Sequence, residues 1–592
     1  MSNKYFRSLI ALMAMGLLIV WGGTAMAASH EEGEDASQFT SENIEGEEEG
    51  PRLEVLEGFV SPGIITDSML LNAGKDPNNW ILYGKDYAHT RYSQLDEINT
   101  ETIKDLVPKW VLSFGTLDSQ GSQTMAFNGN LFVSAAHNHF FRVDGRTGQT
   151  VWRYDHPLPG DVFPHLCCDV INRGPALYGT NLYVATLDGH LVALDSASGQ
   201  VIWDHTVADY KASYSFTVLP LAVDGKIIIG TSGAEFGIRG FITARDSETG
   251  EEVWKTHTIP APGEPGGDTW PGDTYKYGGG SAWVTGAYDP ELNNIYWGVG
   301  QPGPWDRHAH PGDNLYTNST IVMDPDSGAI KFHFQYTPND PYDYDGVNET
   351  ILADIDGQKV WLHADRNGHF YSIDRTNGSF NYAVPLGKVN WNRGFDPETG
   401  RPIFAYPEMD VGHDKVTEGI YPALFGGKEW NPMAYNPHTQ IAYVPAFGDH
   451  SMDLQAKKEK YARGELYLGI KVMKWYGGGG ELRAIDARNG ELVWVHNNPM
   501  PFRSSVTATA GNLVFAGDTD GYIKAFNATT GAQVWSFYCG SSVMGGVNTY
   551  TVDGEQMLAV VVGQAQTGIE MFDENWKKTH QKGGHLIVFG LH

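Results

Sequence analysis

Cysteine is scarce, with three in 592 residues. That is too few for a disulfide-stapled scaffold, and without a Cys-x-x-Cys-His segment the chain cannot carry covalently attached c-type haem. Positive charge is scarce as well. Set against 71 Asp and Glu, the 41 Lys and Arg leave a formal charge of -30, and the absence of a basic patch argues against a nucleic-acid partner. A basic soluble protein is the more natural macromolecular partner, and plain solubilisation accounts for the acidity equally well. Long apolar runs are missing too. The run from about Leu9 to Val20 is shorter than the roughly 18 to 20 residues a spanning helix needs. It lies between Lys4 and Arg7 on one side and Ala25-Met26-Ala27 on the other, the three-part layout of a secretory signal peptide. Residues 1–27 are therefore expected to be removed, leaving a periplasmic chain with no membrane span. Residues 28–51 follow as an acidic tail, with nine carboxylates between Ser29 and Gly50 and almost no large hydrophobes, a composition that cannot order itself by burial.

What the remaining residues, 52–592, contain is a repeat. An Asp or Asn is followed by Gly four positions on and an aromatic eight positions on, as Asp144-Gly148-Trp152, Asp195-Gly199-Trp203, Asp246-Gly250-Trp254, Asp324-Gly328-Phe332, Asp374-Gly378-Tyr382, Asp486-Gly490-Trp494 and Asn527-Gly531-Trp535. Each sits between short strand-like runs and reads as a β-hairpin closed by a glycine-containing turn. Successive repeats lie 51, 51, 78, 50, 112 and 41 residues apart, close to the roughly 40 to 50 residues of a four-stranded propeller blade. The widest gap has room for two blades, and Asn436-Pro437-His438-Thr439 before Ile441-Ala442-Tyr443-Val444 reads as a degenerate eighth repeat. The expected fold is all-β, an eight-bladed propeller whose hairpin aromatics wedge between neighbouring blades. The Gly/Pro-rich stretch 260–280 in the 78-residue gap is expected over one face, as part of a site.

Four segments stand apart from the repeat. In Cys167-Cys168-Asp169-Val170-Ile171-Asn172-Arg173, adjacent cysteines are either two buried thiols or a strained ring that links no distant segments, a poor stabiliser in either form. In Thr231-Ser232-Gly233-Ala234-Glu235-Phe236-Gly237, Glu235 is a loop carboxylate or a ligand. In Gly278-Gly279-Gly280-Ser281-Ala282-Trp283, the indole packs a blade or covers a flat ligand, for which the glycines leave space. In Asn339-Asp340-Pro341-Tyr342-Asp343-Tyr344-Asp345-Gly346, the acidic residues form a solvated turn or a cluster that would repel itself without a cation.

Together with the repeat, these segments resemble the quinoprotein alcohol dehydrogenases, the methanol and ethanol dehydrogenase family that uses pyrroloquinoline quinone (PQQ). The resemblance runs from about Asn79 to the C-terminus. It implies a vicinal disulfide Cys167–Cys168 as a platform on one face of PQQ and Trp283 stacked on the other. Arg173 would bind a cofactor carboxylate, with Thr217, Ser232, Gly233, Ala234, Ser281 and Glu429 as further cofactor contacts. One metal ion would be held by Glu235, Gln301, Asp343 and Asp345. Asp343 would act as general base, and Arg366 of Ala364-Asp365-Arg366-Asn367-Gly368 would touch the reactive carbonyl. The second aspartate, Asp345, resembles the lanthanide-dependent members, and a trivalent hard cation has the stronger demand for anionic oxygen. So a lanthanide is expected over Ca²⁺. The implied activity is oxidation of a small alcohol to an aldehyde, with electrons passed to a separate soluble cytochrome c. A homodimer stays open.

The sequence also departs from the pattern. Gln301 stands where the family carries Asn, Arg503 where a cofactor-contacting Trp is expected before Thr507-Ala508-Thr509, and Glu429 follows Lys428 in place of an Asn. A Glu near the first blade is absent, with Gln120 and Gln123 close by. Arg503 pairs either with a PQQ carboxylate or with an acidic neighbour. Cys539 is read as a buried, inert thiol. Two other readings compete: a non-enzymatic propeller scaffold, which needs neither the vicinal cysteines nor the acidic cluster, and a PQQ enzyme for a sugar or polyol, which the vicinal cysteines disfavour.

Overall fold

Short apolar runs separated by Asx-type and glycine turns form strands throughout the computed structural model, which describes residues 60–564 and 580–592. The expected signal peptide, the acidic tail and the first residues of the expected propeller, 52–59, lie outside the described residues. The described chain folds into seven four-stranded sheets and one five-stranded sheet, with a two-stranded and a three-stranded sheet inserted between them. In chain order the large sheets span 125–155, 176–206, 221–257, 287–335, 351–385, 434–498 and 507–538, here sheets 1 to 7. Sheet 8 is assembled from both ends of the chain. Strands Val547–Val552, Glu555–Gly563 and Gly584–Leu591 are completed by the early strand Leu106–Ser113, which pairs with the last one from Leu106↔Leu591 to Ser113↔His585. Among the described residues no helix is long and apolar enough to cross a membrane.

The repeat does what its residue types require. The Asp144 carboxylate accepts the backbone N–H groups of Arg146 and Thr147, and Gly148 N–H closes the turn on the Asp144 carbonyl. This Asx turn leaves a left-handed residue at its end, which glycine occupies without a Cβ clash. The same glycine is a seat for the preceding sheet. At Gly531, φ is 73° and a Cβ would lie 2.7 Å from the Trp494 ring. Four of the docked aromatics also donate a hydrogen bond to the carbonyl just after the next repeat's first residue: Trp152 Nε1 to Ser196 O, Trp254 Nε1 to Pro325 O, Tyr382 Oη to Ala487 O and Trp494 Nε1 to Ala528 O, at 2.6 to 3.1 Å. Trp110 does the same to Gly145 O at 3.2 Å. It belongs to the strand that completes sheet 8, so its hairpin is divided between the chain ends and no contiguous repeat reveals it.

One sequence expectation is corrected here. Asn436 does accept the backbone N–H groups of His438 and Thr439, as a repeat turn should. But it joins strands Ala434–Asn436 and Ile441–Phe447, the first two of sheet 6, whose later hairpin already carries Asp486-Gly490-Trp494. The 112-residue gap therefore holds one large sheet, not two, plus the inserted strands Asn392–Phe395, Pro402–Phe404, Thr417–Ile420, His450–Ala456 and Ile470–Gly477. Local Asx chemistry made two different turns of one sheet look alike.

Residues 65–93 tie the sheets together. Ile65 bridges Gly179 at the end of the first strand of sheet 2, and Trp80 exchanges two 2.8 Å backbone bonds with Ala126 of sheet 1. Tyr87 Oη donates to Ala222 O of sheet 3. The carbonyls of Asn78, Tyr87, Ala88, Thr90 and Arg91 accept from Thr551, Tyr288, Leu352, Tyr435 and Ala508, in sheets 8, 4, 5, 6 and 7. Every acceptor or donor lies on or beside the first strand of its sheet, so the eight first strands must face one common axis. Arg91, with no exposed surface, donates further to the carbonyls of Tyr83, Val506 and Val547.

Candidate active site

The expected site residues come from two kinds of connection only. Arg173, Thr217, Ser281, Trp283, Asp343, Asp345 and Glu429 lie on the links that lead into the first strands of sheets 2 to 6, and Cys167 and Cys168 lie on the first of these links. Ser232, Gly233, Ala234, Glu235, Gln301 and Arg366 lie between the second and third strands of sheets 3, 4 and 5. In an antiparallel sheet these two connections emerge at the same end. The topology thus brings distant segments to one end of the axis.

Backbone conformation aims the acidic side chains. Asp340, fully buried, accepts Tyr342 N–H at 2.8 Å through Oδ1, and Tyr344 N–H at 2.6 Å and Asn318 Nδ2 at 3.0 Å through Oδ2. Around that anchor Asp343 and Asp345 take φ of 61° and 38°, a conformation that costs a non-glycine residue about 1 kcal/mol or more and is typical of sites. Asp345 Oδ1 accepts Gln301 N–H at 3.1 Å, and Gln301 Nε2 donates to Glu235 Oε1 at 3.0 Å. Arg366 bridges the two aspartates, Nη2 to Asp343 Oδ2 at 3.3 Å and Nη1 to Asp345 Oδ2 at 3.4 Å, and holds its place by donating to Leu424 O. Gly300 leaves room for this: a Cβ there would lie 2.1 Å from Asp345 Oδ1. The stretch 260–280 buttresses the same loop, with Gly303 N–H on Gly278 O and Gly280 N–H on Gln301 O at 2.9 Å.

Glu235, Gln301, Asp343 and Asp345 are thus joined into one network through Gln301 and Arg366. Their carboxylates do not converge on a single point. Among the described residues the three donor groups that do crowd together are Glu235, Cys167 and Cys168, within 4.8 Å of one another. The two sulfurs are bonded to each other, so they offer no thiolate to a metal, and the crowding instead places the disulfide beside the acidic network.

On the other side Arg173 donates to Thr217 Oγ1 at 2.6 Å, and Thr217 Oγ1 is 2.9 Å from Ser232 Oγ. Its guanidinium lies 4.3 Å from the ring of Trp283 and 4.3 Å from that of Trp430. Trp430 was missed in the sequence, where it looks like one more core tryptophan. Arg503 has an acidic neighbour: Nη2 is 3.4 Å from Glu429 Oε2, and both side chains are almost fully buried. Lys428 pairs separately with Glu349 at 2.8 Å. Of the two glutamines, Gln120 is used up by structure, its amide bonded to Asp118 O and Ala136 N–H. Gln123 is buried with both amide atoms unpartnered. Cys539 is buried, and desolvation pushes its thiol up to about 12, consistent with an inert residue.

The electrostatics are those of a site short of charge partners. Burial pushes Asp343 well above the usual carboxylate range against the pull of Arg366, with Asp345 and Glu235 adding to the rise. Burial likewise raises Asp345 to about 8 and raises Glu235. Burial lowers Arg173 to about 10 and lowers Arg503. Burial would lower Arg366 too, but Asp343, Glu429 and Asp345 outweigh it and hold Arg366 above its usual value. Asp343 Oδ1, Gln301 Oε1, Ser281 Oγ and the Nε atoms of Arg173, Arg366 and Arg503 are all buried without a hydrogen-bond partner. A folded protein rarely leaves that many buried groups unpaired in one place. Free acceptors beside the carboxylates fit a hard cation, and free guanidinium donors beside two indoles fit a flat polyanion.

Comparison with known proteins agrees with this chemistry. Residues 80–418 match the PQQ family model described as glucose/ethanol/alcohol dehydrogenase, beta-propeller domain, and residues 478–582 match that of the outer membrane protein assembly factor BamB. A quinoprotein alcohol dehydrogenase of Pseudomonas putida, PedH, is 41% identical over 84% of this chain and 88% of its own length. A quinoprotein ethanol dehydrogenase of Pseudomonas aeruginosa is 38% identical over 89% of this chain and 93% of its own. Among solved structures, a europium-containing methanol dehydrogenase superposes with a TM-score of 0.85 at 32% identity, covering 88% of this chain and all of that one. The fold is therefore a β-propeller, and the chain belongs to the PQQ-dependent quinoprotein alcohol dehydrogenase family.

Proposed function

We propose that this protein is a periplasmic dehydrogenase that oxidises a primary alcohol to the aldehyde with PQQ and one metal ion, and that its eight large sheets are eight blades around the site. The observation that carries this reading is the state of Asp343, a buried carboxylate with one oxygen on Arg366 and the other without a partner, beside Asp345 and Gln301. Glu235, Gln301 Oε1, Asp343 and Asp345 would hold the ion. Arg173, Thr217, Ser232, Ser281, Trp283 and the disulfide would hold the cofactor, with Gly233 and Ala234 giving it room. Bound there, the pair would supply a Lewis acid and a two-electron acceptor.

Asp343 would take the alcohol proton on its free Oδ1, while its Oδ2 stays fixed by Arg366. Arg366, held cationic by three acids, would stabilise negative charge developing next to it. Lacking a haem attachment motif, the chain would pass its electrons to a separate cytochrome c, for which its acidity suits a basic partner. Three carboxylates around one ion would favour a lanthanide over Ca²⁺.

Reconstitution tests all of this. Protein supplied with PQQ and La³⁺ should reduce an artificial dye in the presence of a primary alcohol, and Ca²⁺ should serve less well. Full activity with Ca²⁺ alone would overturn the lanthanide assignment. Absence of PQQ uptake with either ion would leave only a propeller scaffold.

A further inference from the structure

The Glu429–Arg503 pair has more to do than to hold the fold. Both side chains are nearly inaccessible, at 7% and 2% exposure, and buried ion pairs often gain less in attraction than they lose in desolvation. Its surroundings are also lopsided. Glu429 pairs with Arg503, and its charge also favours the cationic forms of Arg173 and Arg366. Glu429 Oε2 accepts both the Arg503 guanidinium and the backbone N–H of Trp430 at 2.8 Å. The Trp430 ring in turn lies under the Arg173 guanidinium. Arg503 is boxed by the rings of Phe425 and Phe447 at 5.6 and 5.9 Å, which leave it little freedom to turn elsewhere.

We propose that Arg503 is a positioning residue whose role is to hold Glu429 off Arg173 and Arg366, so that these two remain available to the cofactor. This rests on the PQQ reading above. Without Arg503, Glu429 is a buried anion with two other guanidiniums in reach of its field. It would pair with one of them and repel an anionic ligand from the same wall. The two departures from the family pattern are then one matched change, because either alone would leave an uncompensated buried charge.

A double-mutant cycle tests it, with Arg503→Gln, Glu429→Gln and the double variant, each loaded with the metal ion and titrated with PQQ by absorbance. Thermal unfolding is recorded without PQQ. Arg503→Gln should weaken PQQ binding about tenfold, and the double variant should recover to within about threefold of Glu429→Gln alone. A pair that is merely structural would lower the unfolding temperature of both single variants and leave PQQ affinity unmoved, which overturns the assignment. A double variant no better than Arg503→Gln overturns it as well. Parent protein that binds no PQQ sinks the proposed function and this assignment with it, whereas parent binding with an unaffected Arg503→Gln variant sinks the assignment alone.

Discussion

The outer hairpins and the axial end of the sheets are built on opposite terms. At the rim, docked aromatics such as Trp152 and Trp494 fill the space above a glycine and donate a polar atom to a waiting carbonyl, so that burial and hydrogen bonding are both satisfied there. At the axis, burial is just as complete, yet acceptors and guanidinium donors are left unpaired and two aspartates sit at positive φ. The rim is spent on stability and the axis on a ligand. That difference makes the two regions separable by mutation.

The largest separation should come from Asp343→Ala. If Asp343 is the general base, turnover of the reconstituted enzyme should fall about 10²- to 10⁴-fold. The unfolding temperature of the ligand-free protein should change little, because loss of the Arg366 contact is offset by removal of a buried carboxyl with an unpartnered oxygen, and Arg366 keeps Asp345 and the Leu424 carbonyl. A parallel loss of stability would make Asp343 a structural residue. Trp494→Ala should do the reverse. Loss of the indole above Gly531 should cost about 3 to 5 kcal/mol of stability, seen as a lower unfolding temperature, while turnover per folded molecule stays near that of the parent. A Trp494 variant that unfolds normally would break the account of how neighbouring sheets are joined.

The pH dependence of stability sharpens the same contrast. Asp340 is pushed up to about 6, chiefly by burial against the backbone hydrogen bonds it accepts. Its folded-state value lies above the unfolded one, so its contribution to stability is fully present below about pH 4 and is lost as pH rises through 6. A shift of roughly two units corresponds to about 3 kcal/mol. In Asp340→Asn that part of the decline between pH 4 and 7 should vanish from unfolding curves compared with the parent. Identical pH profiles for the two proteins would mean that the anchor of the 340–346 loop is not titrating.

How much of this was legible in the sequence follows from the same division. The rim was readable because each turn is local: an Asp, a Gly and an aromatic at fixed spacing specify an Asx turn and its dock without help from distant residues. Legibility failed where the turn chemistry recurred in another hairpin, at Asn436, and where a hairpin was divided between the chain ends, at Trp110. The axis was readable only through the resemblance, since its residues are far apart in the chain and meet through topology. Even so, the structural bonds of Gln120, the place of Trp430 beneath Arg173 and the contact of Arg503 with Glu429 needed three dimensions. The tie of residues 65–93 to every sheet left no trace at all, because it is made almost entirely by backbone groups.

The smallest expected effect is also the most discriminating, because it compares two tryptophans of the rim. Trp152 Nε1 donates to Ser196 O at 3.1 Å. At Trp203 the equivalent acceptor, Ser247 O, is taken by Tyr183 Oη at 2.9 Å, and Trp203 Nε1 is buried without a partner. Substitution by Phe keeps most of the apolar contact in both cases. In Trp152→Phe it removes a made bond and strands a carbonyl, at a cost of about 1 to 2 kcal/mol. In Trp203→Phe it removes a donor that is already unsatisfied, so the smaller ring's lost contact is offset and stability should change by less than about 0.5 kcal/mol in either direction. Unfolding of the two variants side by side decides it. Equal losses would show that ring packing alone docks the sheets and that the hydrogen bond adds nothing, whereas a loss confined to Trp152→Phe shows that the Trp152 dock is held by its carbonyl as well as by its glycine.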